Sequence, residues 1–123
     1  MNFDKLSNVV IGAGLIVHRT LGPGLLESTY EACMAHELSS QGLHVERQKP
    51  LPVKYKEIRL DCAYRLDLVV ENRIVLEIKS VQKIDPIHEA QLLTYLRLGG
   101  YNVGLIMNFN VVLFRDGLKR IVN

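Results

Sequence analysis

The sequence predicts an α/β (α+β) domain in which helices flank a mixed β-sheet. Three observations predict it. Apolar residues recur with helical spacing from Leu6 to Leu38, the pattern switches to strand-like alternation after Gly42, and a helix punctuated at both ends separates two groups of β-rich segments.

In order, Leu6, Val9, Val10, Ala13 and Val17 mark one face of an amphipathic helix from Asp4 to Thr20, weakened by Gly12 and Gly14. Gly22-Pro23-Gly24 breaks it, and a second helix follows from Leu26 to Leu38, with Leu26, Tyr30, Cys33, Met34 and Leu38 on one side. Gly42 is its stop. Leu43 and Val45 then alternate with His44 and Glu46, Pro50 and Pro52 interrupt, and Val53 to Tyr55 reads as a short strand. Arg59 to Val70 and Ile74 to Ser80 read as a hairpin around Glu71-Asn72-Arg73. Asp85-Pro86 starts a helix, as N-cap and first helical position, that ends at Leu98 before Gly99-Gly100. Tyr101 to Asn108 and Val111 to Phe114 are β-rich, Asp116-Gly117 signals a tight turn, and Leu118 to Val122 closes the chain.

A length of 123 residues fits one domain, 1–123, and 48% hydrophobic with 23% charged residues is the balance of a globular protein. The net charge of +2 is too small to hold nucleic acid by bulk charge, so any such binding must be local. Cys33 and Cys62 make no disulfide framework, the start carries no signal-peptide pattern, and no apolar run approaches ~18 residues. A cytoplasmic protein with no membrane partner is expected.

The informative stretch is Tyr64 to Ser80. Asp67, Glu77 and Lys79 stand inside otherwise apolar strands, where a charge is costly unless paired or bound to a metal. A two-residue loop would set Asp67 opposite Leu76; a three-residue loop, Glu71-Asn72-Arg73, sets it opposite Glu77. The second register is the one that collects Leu66, Leu68, Val70, Ile74, Leu76 and Ile78 on a wholly apolar face and leaves Asp67, Glu77 and Lys79 together on the other. Asn72 suits the left-handed geometry such a turn uses. Two carboxylates one strand apart repel, and a hard divalent cation, Mg²⁺ or Mn²⁺, relieves that repulsion. With Lys79 to orient a water or stabilise phosphoryl charge, the reaction class that uses all three is metal-assisted phosphodiester hydrolysis. The bland alternative is a solvated charged face with an ordinary cross-strand ion pair.

Two helices add residues. Gln91 and Tyr95, four apart in QLLTYL, share a helix face, and Gln91 can bridge the lysine, a water or a substrate phosphate. Glu27 and Tyr30 lie in GLLESTY, with the carboxylate in the first turn of its helix. His18 and Arg19, just before the glycine turn, are candidate phosphate contacts, and Tyr30 and Tyr95 are candidate substrate contacts.

GLLESTY resembles the signature of the GxxExxY proteins, with Gly24, Glu27 and Tyr30 at its fixed positions. The likeness extends through VHRTLGPGLLESTYE, RLDLVVENRIVLEIKSV, HEAQLLTYL and NFNVVLFRDGLKRIVN, nearly the whole chain. That family is similar to compact members of the PD-(D/E)xK nuclease group. The resemblance implies a restriction-endonuclease-like core and a metal-dependent nuclease acting on nucleic acid, with DNA as the expected substrate. It implies Glu27 as the helical acid at the metal, Asp67, Glu77 and the Ile78 backbone carbonyl as metal ligands, and Lys79 as the catalytic lysine. Gln91 with Tyr95 resembles the QxxxY helix of RecB-like nucleases. Leu66 stands where the pattern has a proline. A catalytically silent module that keeps the fold and binds nucleic acid or a protein partner is the alternative, and a homodimer that completes the binding groove is compatible with either.

Other patterns do not fit a chemistry. Cys33-x-x-His36 is an isolated pair, His44 and His88 share no ligand spacing with it, and zinc is rejected. Gly12-x-Gly14 lies within a helix and follows no strand, so it is no dinucleotide fingerprint, and Ser28, Ser39, Ser40 and Ser80 lack a nucleophile-elbow context.

Overall fold

The computed structural model describes residues 1–61 and 64–123. Helix α1 spans Phe3–Leu21 and α2 Glu27–Ser40. Strands follow as β1 (Val45–Pro50), β2 (Val53–Tyr55), β3 (Ile58–Leu60), β4 (Arg65–Val70) and β5 (Ile74–Lys79). Helix α3 (Pro86–Gly99) leads to β6 (Val103–Asn108), a 3-10 turn at Phe114–Gly117 and β7 (Leu118–Val122). The main sheet has five strands in the order β1-β4-β5-β6-β7, and β2 and β3 form a separate two-stranded ribbon. Among the described residues only β5 and β6 run parallel within the main sheet, because α3 crosses over between them.

The sheet is covered on both faces. Leu6, Val10, Ala13 and Val17 of α1 and Tyr30, Met34 and Leu38 of α2 pack on Leu68, Val70, Ile74, Leu76, Ile78, Leu105 and Met107. Leu92 and Leu96 of α3 pack on Val69, Val75 and Ile106 from the other side. Such two-sided burial explains why β4, β5 and β6 are nearly continuous apolar runs. Any charge inside them is conspicuous for the same reason.

Helix α1 begins where Asn2 accepts a hydrogen bond from the Lys5 amide at 2.8 Å, an N-cap. Its Gly14 is a contact point: a Cβ there would lie 2.5 Å from the ring of Phe114. In α3 the His88 ring accepts from the Asp85 amide at 3.0 Å, closing the first turn that Asp85-Pro86 announces.

Several expectations are corrected. Leu66 leaves the apolar face assigned to it and packs with Leu51, Val69, Val75 and Leu92 on the α3 side, since the strand changes its facing between Leu66 and Leu68. The segment expected as one strand from Arg59 to Val70 is divided between β3 and β4. Cys62 and Ala63, which lie between them, are outside the described residues, and the expectation for the Cys62 thiol with them. Cys33 carries a free thiol and is only partly buried, while Leu26 is exposed at the N-cap of α2. Glu31 occupies the inward face instead.

Val111 to Phe114 forms no strand. The edge of β6 that it would need is already paired, with Met107 opposite Leu118 and Val103 opposite Val122. It is tied elsewhere, the Val111 carbonyl to His18 and the residue before it, Asn110, through its side chain to the Val81 carbonyl.

Candidate functional site

The turn between β4 and β5 has the expected three residues, since Val70 pairs with Ile74, Val69 with Val75 and Leu68 with Leu76. Asn72 takes the left-handed backbone, and so does Glu71, with φ of 52° at both. Extending this register by one residue places Asp67 opposite Glu77, but there the backbone ladder stops. Each side chain reaches instead for the other strand's amide: the Ile78 amide donates to Asp67 Oδ2 at 2.8 Å, and the Asp67 amide lies 3.5 Å from Glu77 Oε1. The strands part just enough to admit two carboxylates between them. A strand residue turns its N–H and C=O toward the same neighbour, so the Ile78 carbonyl also faces the β4 side where the ladder has ended.

Burial and mutual repulsion shape the electrostatics. Glu77 is 9% exposed, and desolvation, reinforced by the charge of Asp67, pushes its pKa up to about 8. The positive charge of Lys79 opposes this rise without cancelling it. Asp67 is raised as well, first by burial and then by the charge of Glu31, against the lowering effect of the Ile78 amide. The pair therefore resists carrying two negative charges unless a cation joins it.

Helix α2 brings two further acids. Glu27 Oε2 accepts from the Ser80 amide at 3.2 Å, at the end of β5, and Ser80 Oγ donates to the Leu25 carbonyl at 2.7 Å. A cleft of about 360 Å³ is lined by Glu27, Ser28, Glu31, Gln48, Asp67 and Ile78. Glu27 and Glu31 share it because residues four apart lie on one helix face.

Sequence reasoning missed Glu31 and Gln48. Glu31 is 7% exposed and held by Arg47 at 3.1 Å and by Gln48 Nε2 at 2.5 Å. The same Gln48 amide reaches Asp67 Oδ1 at 3.4 Å, so it bridges the helical and strand carboxylates. Gln48 stands in the left-handed region with φ of 50°, a costly backbone for a residue with a Cβ. Glu31 lies outside the apolar stripe read from the sequence and turns inward only in the packed helix, and nothing local marks Gln48.

Helix α3 supplies Gln91, whose Nε2 donates to the Tyr95 hydroxyl at 3.1 Å. Tyr95 packs against the α3-side core that holds Leu66, next in the chain to Asp67, and burial and then the charge of Glu77 raise its hydroxyl above the usual range; Gln91 is exposed and is tied to this region through Tyr95.

Two expected substrate contacts have other work. Tyr30 is fully buried and stacked on Phe109 with ring centroids 4.5 Å apart. Its hydroxyl donates to the Gly22 carbonyl at 2.6 Å and accepts from the Leu25 amide at 3.1 Å, so it pins the loop that presents Glu27. His18 is buried against Phe109 and Phe114, and its Nε2 lies 2.7 Å from the Val111 carbonyl. Tyr30 is thereby closed to a substrate. Arg19 is exposed and shares with His18 a separate cleft, with Leu15, Gly22 and Val112. Tyr30→Phe should keep the ring packing and lose both loop hydrogen bonds, at a cost of about 1–3 kcal/mol in urea unfolding. Unchanged stability would show that the loop is held by other contacts.

Among the described residues no group of three or more His, Cys, Asp or Glu side chains is gathered as a ready metal cluster, and no helix is long and apolar enough to cross a membrane. No curated protein and no solved structure matches the chain significantly. The family model of the PD-(D/E)XK nuclease superfamily matches residues 4–121. With a mixed sheet between helices and a match that runs through nearly every element, the chain belongs to the PD-(D/E)XK nuclease superfamily.

Proposed function

We propose that the protein is a divalent-metal-dependent nuclease that hydrolyses phosphodiester bonds of nucleic acid, DNA in the first place, and that it represents the GxxExxY branch of its superfamily. The observation that carries this reading is the pair Asp67 and Glu77, admitted side by side at a break in the β4–β5 ladder. The donor chemistry fits a hard cation. Mg²⁺ commonly takes only one or two protein carboxylates and keeps waters, so a two-carboxylate centre suits it without a third ligand. Asp67, Glu77 and the Ile78 carbonyl would hold Mg²⁺ or Mn²⁺, with Glu27 at its margin. When bound, the ion supplies Lewis-acid polarisation of a phosphoryl oxygen and of an attacking water.

The chain's own residues do the rest. Lys79, two residues beyond Glu77 and so on the same side of β5, orients a water or meets the negative charge that develops on phosphorus. The Ile78 amide fixes the Asp67 carboxylate, and Gln48 holds Asp67 against Glu31. Gln91 steadies the Tyr95 hydroxyl at the rim. The protein should nick supercoiled DNA with Mg²⁺ or Mn²⁺ and stop on adding EDTA, and Asp67→Asn should lose at least ~100-fold of the rate, the scale of deleting one electrostatic partner of a transition state. Cleavage that survives in Asp67→Asn would remove this reading. A catalytically silent module is favoured by the lack of a three-residue ligand cluster among the described residues. It predicts no nicking and no Mn²⁺-dependent rise in melting temperature.

A further inference from the structure

We propose that the β2–β3 ribbon and the facing side of α3 form a seat for an unpaired nucleobase, so that the protein takes single-stranded nucleic acid in preference to duplex. This deepens the nuclease reading and rests on it for the chemistry of the ligand.

A cleft of about 350 Å³ lies between Val53, Leu60, Tyr64, Thr94, Tyr95 and Leu98. Its size falls in the range of about 300–1,000 Å³ found for small-molecule sites, and its lining is apolar apart from three hydroxyls. Tyr64 and Tyr95 meet there with ring centroids 6.3 Å apart and planes at 58°. Rings so tilted do not cover one another's faces, and Tyr64 stays 48% exposed, which leaves π surface for a flat guest. Tyr95 also packs against the α3-side core that holds Leu66, next in the chain to Asp67. A base lodged in this cleft would thus bring its own backbone toward Asp67 and Glu77.

Charge argues for the same guest. Carboxyl groups crowd the reaction centre at Glu27, Glu31, Asp67 and Glu77 and offer a phosphate no attraction, and a net charge of +2 supplies little general attraction. On the ribbon beside the aromatic cleft, however, Lys56 is at the turn, and Lys54 and Arg59 stand opposite each other on the face turned away from Val53 and Leu60, where a strand leaving the cleft can pass them, all exposed. Arg65 follows Tyr64 and donates to the Gln48 carbonyl at 3.2 Å. Arg59 is partly neutralised by Asp61 at 2.7 Å, and Glu57 shares the turn, so Lys54 and Lys56 carry the attraction. Cations beside exposed aromatic rings are what a phosphate backbone with splayed bases requires. Duplex bases are already stacked and offer no free face. An apolar peptide would use the cleft and ignore the lysines.

The test is fluorescence anisotropy of the intact protein with a labelled single-stranded DNA, the matching RNA strand and the corresponding DNA duplex, in EDTA so that no cleavage intervenes. Tyr64→Ala should weaken single-strand binding ~5- to 100-fold, the range of one lost base–aromatic stack, while Tyr64→Phe binds as the wild type. Lys54→Glu with Lys56→Glu should weaken binding and reduce its salt dependence. Duplex should bind more weakly than either strand. The proposal is overturned if Tyr64→Ala, with an unchanged melting temperature, binds single strands like the wild type, or if duplex binds as tightly as single strand. The two readings fail separately: Tyr64-dependent strand binding without any metal-dependent cleavage removes the hydrolytic reading and leaves this one, and DNA nicking with no Tyr64 dependence of binding does the reverse.

Discussion

Glu77→Gln is expected to make the metal-free protein more stable at pH 8 while removing its response to Mn²⁺. The side chain is 9% exposed, and burial beside Asp67 lifts its pKa from 4.5 to about 8. Between those values the folded protein holds a proton that the unfolded chain has released. Stability therefore falls as pH rises through this window, being greatest below about 4.5 and fully reduced above about 8. At about 1.4 kcal/mol per unit, the loss is on the order of a few kcal/mol, and the rise at Asp67 acts in the same direction. Glutamine has nearly the same shape and carries no charge to desolvate. Its melting temperature should decline less between pH 5 and pH 8 than that of the wild type, and the two should diverge most at the alkaline end. Saturating Mn²⁺ should raise the melting temperature of the wild type, because an ion that binds only the folded state stabilises it, and should leave Glu77→Gln nearly unmoved. Parallel pH profiles for the two proteins would mean that the Glu77 carboxylate is not the strained group described above.

The register of β4 and β5 was legible because it rests on a parity argument that burial enforces. An odd loop was needed to keep Leu68, Val70, Ile74, Leu76 and Ile78 inside, and those five do share a core. Leu66 was misassigned because parity assumes a regular strand, and the strand turns over beside Asp67, where the ladder gives way to the carboxylates. Helix α3 was legible from Asp85-Pro86 and Gly99-Gly100, where cap chemistry is local. The β2–β3 hairpin was not, since its two-residue turn, Lys56-Glu57, contains no glycine or asparagine although Lys56 has a φ of 54°. At the site, the acids in strands stood out against apolar neighbours, whereas Glu31 resembled any helical glutamate until α2 was packed. Tyr30 and His18 show the converse. Their polar tips suggested ligand contacts, but both are used inside the protein, on the Gly22 and Val111 carbonyls.

Lys79→Ala separates binding of the ion from hydrolysis. Lys79 lies at the end of β5, half-buried, on the same side as Glu77, and its positive charge favours the ionised form of that carboxylate. Loss of the ammonium removes the group available to orient water or to meet developing phosphoryl charge, so nicking should fall by about 100- to 1,000-fold or more. The ion is a different matter. A cation at Asp67 and Glu77 is repelled by a neighbouring ammonium, so its absence should leave the Mn²⁺-induced rise in melting temperature intact or larger. Lys79→Arg keeps the charge but exchanges a compact ammonium for a planar fork, and should recover only part of the rate. Together with Asp67→Asn, which should lose both the rate and the thermal shift, the pair of variants assigns separate tasks to the strand acids and the lysine. If Lys79→Ala loses the thermal shift as well, Lys79 acts by holding the carboxylates in place; if it cleaves like the wild type, the chemistry does not pass through this centre.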